Sequence, residues 1–172
     1  MALRDDIRSI LLNVRERDRC ELVEYGLDVE AAVETFALPA VAARLFKACG
    51  VPAAIVTFHR LTPRALVVSM MATDDWRQVA GQVVRWGWRE ARPSLIAQGY
   101  TRAECRTLEG HADAIELLER LGFVRECRLP GFGAHGASFL QYAWRLIDHV
   151  HVQIPQGPAA AVPGIEAGRG TE

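Results

Sequence analysis

The chain has 172 residues, half of them hydrophobic, and a formal net charge of −1. That length supports one domain with a proper core, and the scattered basic residues give no electrostatic case for a nucleic-acid partner. No apolar run reaches the roughly 18 residues of a membrane span, and the opening M-A-L-R-D-D-I lacks the basic-then-apolar order of a signal peptide.

Asp5 or Asp6 is placed to cap a first helix with Ile7, Ile10, Leu11 and Val14 on its apolar face, ended by Gly26. Its stretch Asn13 to Leu22 is rich in opposite charges at helical spacing, which reads as a solvated face. Asp28 opens a second short helix through about Phe36. Three strands are predicted next: Ala40 to Phe46, Val51 to His59 after a turn at Ala48-Cys49-Gly50, and Ala65 to Met71 after a turn at Thr62-Pro63. Asp74 or Asp75 then caps a long helix from Trp76 to Gly99. Pro93 inside it should kink or split it. Thr101 to Thr107 reads as a strand.

The next segment, His111 to Phe123, is the most informative. Ala114, Leu117, Leu118 and Leu121 fall at helical spacing, Gly122 stops the helix, and Phe123 to Leu129 is an extended run. A final strand is predicted at Ser138 to Arg145. The turn before it, P-G-F-G-A-H-G, is long for a hairpin and reads as a flexible loop. One domain is therefore expected over residues 1–150, with a Pro/Gly/Ala-rich tail over 151–172. From Gln156 onward that tail is expected to be flexible, because it cannot bury enough apolar surface to offset its ordering entropy. Cys20, Cys49, Cys105 and Cys127 lie far apart with no C-x-x-C pair, so no zinc site, other metal or disulfide framework is expected.

The helix-Gly-aromatic-strand unit resembles the segment that closes the fold of the GNAT (acetyltransferase) superfamily, where it reads N-x-x-A-x-x-x-Y-x-x-x-G-F. On that frame Ala114, Gly122 and Phe123 match, His111 takes the Asn position and Leu118 takes the Tyr position. The element order follows the GNAT order over roughly Ile7 to Arg145, lacking only a clear first strand. The resemblance implies an α/β protein with a GNAT-like central mixed β-sheet flanked by helices. It also implies acetyl-CoA in a fork between two central strands, its pyrophosphate on a Q/R-x-x-G-x-G/A loop at the start of the long helix.

The residues test that implication. Gln78 and Gly81 fit the loop, but Val83 stands where a small residue belongs. Asp74 and Asp75 suit a helix N-terminus yet repel a diphosphate. Leu118 cannot reprotonate a leaving thiolate as the family Tyr does. Tyr100 and Tyr142 are substitutes only if the fold brings one to the sulfur. Glu104, His59 and His111 are the candidate bases, each without a partner visible in the sequence, and His111 reads first as a structural residue at a helix start. Gln78, Gly81 and His111 are thus vestigial candidates for a cofactor site, and no catalytic residue is assigned. Trp86 shares a stripe with Val79 and Val83 and reads as core. Trp88 lies off it and is free to face a partner, and Trp76 is the candidate plug for the fork.

Within the superfamily the chain looks like a group of bacteriophage GNAT-like proteins that includes the small internal virion protein of podoviruses. The shared segments are N-x-R-x-x-D-R-x-E at Asn13–Glu21, G-H-x-D-A-x-x-x-L-x-x-L-G-F at Gly110–Phe123, and G-x-x-G-x-x-F-x-x-Y-x-W at Gly133–Trp144. That resemblance implies a virion component with a degenerate acetyl-CoA site, made in the host cytoplasm, with other virion proteins as partners and no cofactor. The alternative is a cytoplasmic acetyl-CoA-dependent N-acetyltransferase with a variant cofactor loop. The two readings differ in whether the fork is open or filled by side chains.

Overall fold

The computed structural model describes residues 2–38 and 40–146; the predicted tail lies outside these. In chain order the elements are α1 (Ala2–Leu12), α2 (Glu16–Glu24), α3 (Val29–Ala37), β1 (Ala42–Ala48), β2 (Val51–Arg60) and β3 (Ala65–Ala72). Then come α4 (Trp76–Trp86), a π-turn at Gly87–Ala91, α5 (Arg92–Ala97), β4 (Arg102–Leu108), α6 (Ala112–Arg120), β5 (Val124–Leu129) and β6 (Phe139–Arg145).

The predicted single N-terminal helix is two. Val14 leaves the helix to form an isolated bridge with Thr73, and Arg15 N–H donates to Ala72 O at 3.0 Å. Breaking α1 from α2 satisfies the Ala72 carbonyl at the tip of β3, and both segments keep their apolar faces buried. Asp28 caps α3 as expected, accepting from Ala31 N–H at 2.8 Å. Pro93 sits in the first turn of α5, where its missing N–H costs little, and the π-turn before it absorbs the break.

Among the described residues the strands form one sheet in the order β1-β2-β3-β4-β6-β5, antiparallel except for β3 beside β4. Helices α1 and α3 pack on one face, burying Ile7, Ile10, Leu11, Val33 and Phe36 against Ile55 and Met71. Helices α4 and α5 pack on the other, with Val79, Val83, Trp86 and Leu95 against Phe58, Leu66 and Trp144. Trp86 is core, edge-on to Phe46 and Phe58. Each face thus follows the strand's two-residue alternation and the helix's 3.6-residue stripe. No helix among the described residues is long and apolar enough to cross a membrane.

The parallel strands β3 and β4 pair only over Ala65–Val67 and Arg102–Glu104. Past that point they diverge, leaving a fork whose two prongs end at Ala72 and Leu108.

Candidate functional site in the fork of the sheet

Helix α2 lies across the open end of the fork and ties its prongs together. Asp18 Oδ2 accepts the backbone N–H of Ala72 at 2.9 Å, at the tip of β3. Glu21 Oε2 accepts the N–H of Leu108 at 3.2 Å and the Thr107 hydroxyl at 3.0 Å, at the tip of β4. The spacing Arg15, Asp18, Glu21, Leu22 puts these groups on one helix face, and all four are buried. The solvated-face reading therefore fails for Arg15, Asp18 and Glu21 and holds for Glu16, Arg17 and Arg19, which are exposed. The carboxylates are inside because diverging strands leave backbone donors that only an acceptor from another element can satisfy.

His111 completes the cluster. Only 3% exposed, it occupies the N-cap position of α6 but makes no capping bond. Its Nδ1 is 3.2 Å from Glu21 Oε2, and its Nε2 is 3.3 Å from Asp18 Oδ1 but outside hydrogen-bond geometry. Arg15 Nε donates to the same Asp18 Oδ1 at 2.8 Å, its guanidinium 4.9 Å from the Trp76 ring centroid. Arg17 Nη1 reaches Gly110 O at 3.1 Å. Burial pushes the Asp18 carboxyl above its ordinary range, against the pull of Arg15 and His111. The two sequence segments Asn13–Glu21 and Gly110–Asp113 thus meet as one buried network of charges and hydrogen bonds.

Inside the fork, below α2, is a cleft of about 230 Å³ lined by Arg15, Asp18, Glu21, His111 and the divergent parts of β3 and β4. Glu104 also lines it, held by Arg102 and by the Gln141 amide. Trp76 is not among the lining residues; it packs into the core beneath Arg15. The plug across the fork is α2 with its two carboxylates. Sequence reasoning missed Arg15, Asp18 and Glu21, although their i, i+3, i+6 spacing in line with Leu22 was a readable sign of a buried face.

The remaining candidates lie elsewhere. Gln78 and Gly81 fall inside α4, where Gln78 Nε2 bonds Asp75 Oδ1 at 2.8 Å. Only Thr73, Asp74 and Asp75 separate β3 from α4. The N–H groups of Trp76 and Gln78 are already taken by Thr73 O and Asp75 O, each at 3.0 Å. These residues do not fit a diphosphate: the turn is short, its carboxylates face solvent, and the Asp75, Trp76 and Gln78 N–H groups are taken. Leu118 is buried with Leu140 and Tyr142. The Tyr142 hydroxyl donates to Glu119 at 3.5 Å, the Tyr100 hydroxyl accepts from Arg60 Nε at 3.1 Å, and neither lines the cleft. His59 lies on β2, away from it. Trp88 is half-exposed but not free: its Nε1 donates to Arg120 O at 3.0 Å and Arg92 stacks on its ring. Among the described residues no group of three or more His, Cys, Asp or Glu is arranged to hold a metal ion.

The long β5–β6 turn is docked. The Glu24 carboxylate at the end of α2 accepts from His135 N–H at 3.1 Å and Ala137 N–H at 3.4 Å, while Ala134 N–H donates to Glu24 O at 2.7 Å. The expected flexible loop is instead held by backbone N–H groups on a carboxylate of its own chain.

A mixed sheet with a parallel fork at its centre, preceded by helices α1 to α3 and with α6 after the second prong, is the GNAT acetyltransferase fold. Solved structures bear this out. A probable GNAT-family acetyltransferase from Chromobacterium violaceum superposes with a TM-score of 0.63 at 17% identity, over 87% of this chain and 86% of that one. Ard1 from Thermoplasma volcanium gives 0.62 at 12% identity over 81% and 93%. The aminoglycoside 6′-N-acetyltransferase from Enterococcus faecium gives 0.59 at 15% identity over 84% and 91%. No protein-family model matches the sequence, and no curated protein matches it. At these identities the likeness establishes the fold, and the function rests on the site.

Proposed function

We propose that this protein uses the GNAT fold for binding rather than for acetyl transfer, as a structural or interaction component of a bacteriophage particle. The observation that carries the reading is the α2 staple. Asp18 on Ala72 N–H and Glu21 on Leu108 N–H tie together the tips of the two strands between which an acyl donor would lie. Removing that tie would expose two buried carboxylates and orphan two backbone donors. The occupied N–H groups at the start of α4 and the apolar Leu118 support the same reading. The particle role is supported by the resemblance of segments 13–21, 110–123 and 133–144 to phage proteins of this fold.

One observation favours a second reading, an N-acyltransferase with a variant cofactor loop. The fork below α2 holds open space, and His111 faces it with Glu21 on Nδ1, the arrangement of a base oriented by a carboxylate. Such a pair would accept a proton from an acceptor amine.

Calorimetric titration of acetyl-CoA up to about millimolar concentration decides between them. No heat, with native circular dichroism, is expected. One-to-one binding below a millimolar would overturn the binding-module reading. The particle role is tested separately by mass spectrometry of purified particles from a producing host culture. The chain is expected in them, and its absence overturns that half.

A further inference from the structure

The net charge of −1 conceals a segregation of charge along the chain. Residues 1–39 carry five Arg and nine Asp or Glu, whereas residues 40–100 carry eight Arg or Lys and three Asp or Glu. The second set builds β1 to β3 and the α4–α5 layer, so cations that look scattered are gathered in one half of the fold.

The outer face of α4 and of the π-turn after it holds Arg77, Gln78, Gly81, Gln82, Arg85 and Arg89, all exposed and none acidic. Arg77, Gly81, Arg85 and Arg89 recur every four residues, so they run along one side, in a row about 18 Å long at the helical rise. Trp76, Val79, Val83 and Trp86 take the buried side. Gly81 leaves the middle of the row open, since a Cβ there would meet nothing within 4 Å.

The exposed arginines of the other helices are engaged. Arg4 pairs with Glu34, Arg8 with Glu30, Arg19 with Glu16 and Arg120 with Glu116, while Arg17 Nη1 donates to Gly110 O. Glu90, the one carboxylate in α4 and the π-turn, faces Arg44 at 2.7 Å. Among the described residues Arg77, Arg85 and Arg89 have no such partner. A face of one sign over several helical turns, where surfaces ordinarily mix both signs, is complementary to an extended anion.

We propose that this face of α4 binds the phosphate backbone of a nucleic-acid duplex without reading its sequence. Arg77, Arg85 and Arg89 take one phosphate each, the Gln82 amide donates beside them, and Gly81 lets the backbone approach the helix. The chemistry of the row selects this partner. An anionic bilayer calls for apolar side chains among the basic ones, and a protein partner for an apolar centre, and the row has neither. Trp88, the exposed aromatic nearby, is held by Arg120 O and Arg92. A duplex presents one phosphate charge per roughly 1.7 Å of its axis and asks only for cations and amide donors. Asp74 and Asp75, exposed just ahead of Arg77, end the row. Acetyl-CoA binding and presence in a particle are separate properties, and neither result above decides this one.

The test is fluorescence anisotropy of a labelled DNA duplex of about 20 base pairs titrated with the full chain at several salt concentrations. Three phosphate contacts give a salt slope of about −2.7, hence about fortyfold weaker binding at 200 mM than at 50 mM salt. Arg85→Gln combined with Arg89→Gln should lower that slope to about −0.9, with circular dichroism unchanged because both side chains are exposed. Arg4→Gln combined with Arg8→Gln removes the same charge from α1 and should leave binding as it is. No binding at the lower salt by about 1 mM protein overturns the proposal. So does an Arg85→Gln, Arg89→Gln variant that binds as the natural chain does, or an Arg4→Gln, Arg8→Gln variant that loses as much. Displacement of the duplex by phosphatidylglycerol vesicles at equal phosphate concentration would overturn it in favour of a membrane.

Discussion

His111 and Glu21, ninety residues apart in sequence, meet at 3.2 Å in the buried centre of the fork. Glu21 Oε2 serves three partners at once, the imidazole, the Thr107 hydroxyl and the Leu108 N–H. Glu21→Ala removes one acceptor and orphans three groups. A loss of about 3 kcal/mol is expected, read from urea denaturation. Glu21→Gln keeps an amide oxygen for Thr107 and Leu108 and should lose markedly less. Equal losses would show that the carboxylate does not tie α2 to β4.

Asp18 makes a prediction about pH. Burial raises its carboxyl above the ordinary 3.8, so between that value and its folded one the native state binds more protons than the unfolded chain. Stability contributed by this group is present below 3.8 and falls as pH rises through the folded value. Asp18→Asn removes the titration. The difference in unfolding free energy, natural chain minus variant, should therefore decline as pH rises from 4 upward, with pH 4 about the ordinary carboxylate range. A flat or rising difference would sink the assignment.

Glu24 holds the β5–β6 turn through His135 and Ala137. Glu24→Ala should release it, raising the rate of limited proteolysis within residues 131–136 and costing about 1–2 kcal/mol. Gly133→Ala should do the same from the other side, since a Cβ there would overlap the Glu24 carboxylate. Unchanged proteolysis in both variants would show that the turn is ordered by other contacts.

Gly122 ends α6 with φ +77°, and a Cβ there would lie 3.1 Å from Trp88 Cζ2 and 3.2 Å from Arg92 Nη2. Gly122→Ala meets both left-handed strain and crowding, so a loss of about 1–2 kcal/mol is expected. Thermal denaturation should show Tm lower by about 3–6 °C. No change would mean that Trp88 and Arg92 move aside freely.

Much of the fold was legible along the chain. Asp28, the α4 stripe of Val79, Val83 and Trp86, and the Leu117–Gly122–Phe123 unit are local signals, and each appears where its spacing put it. The break between α1 and α2 was not legible. Val14 and Arg15 leave the helix to meet Thr73 and Ala72, residues remote in sequence. The same holds for the site. His111 was visible as a candidate without a partner, because its partners stand on α2.

The sequence by itself determined the elements, their apolar faces and the order that makes a GNAT-like sheet, since periodicity, caps and glycine stops act over a few residues. It also determined that Leu118 offers no proton and that Asp74 and Asp75 precede the long helix. Only the tertiary structure decided that Arg15, Asp18 and Glu21 are buried rather than solvated. Charge patterning reports which side chains share a helix face, not what that face meets. Here it meets the tips of two diverging strands, whose unpaired backbone donors make a carboxylate the fitting residue to bury.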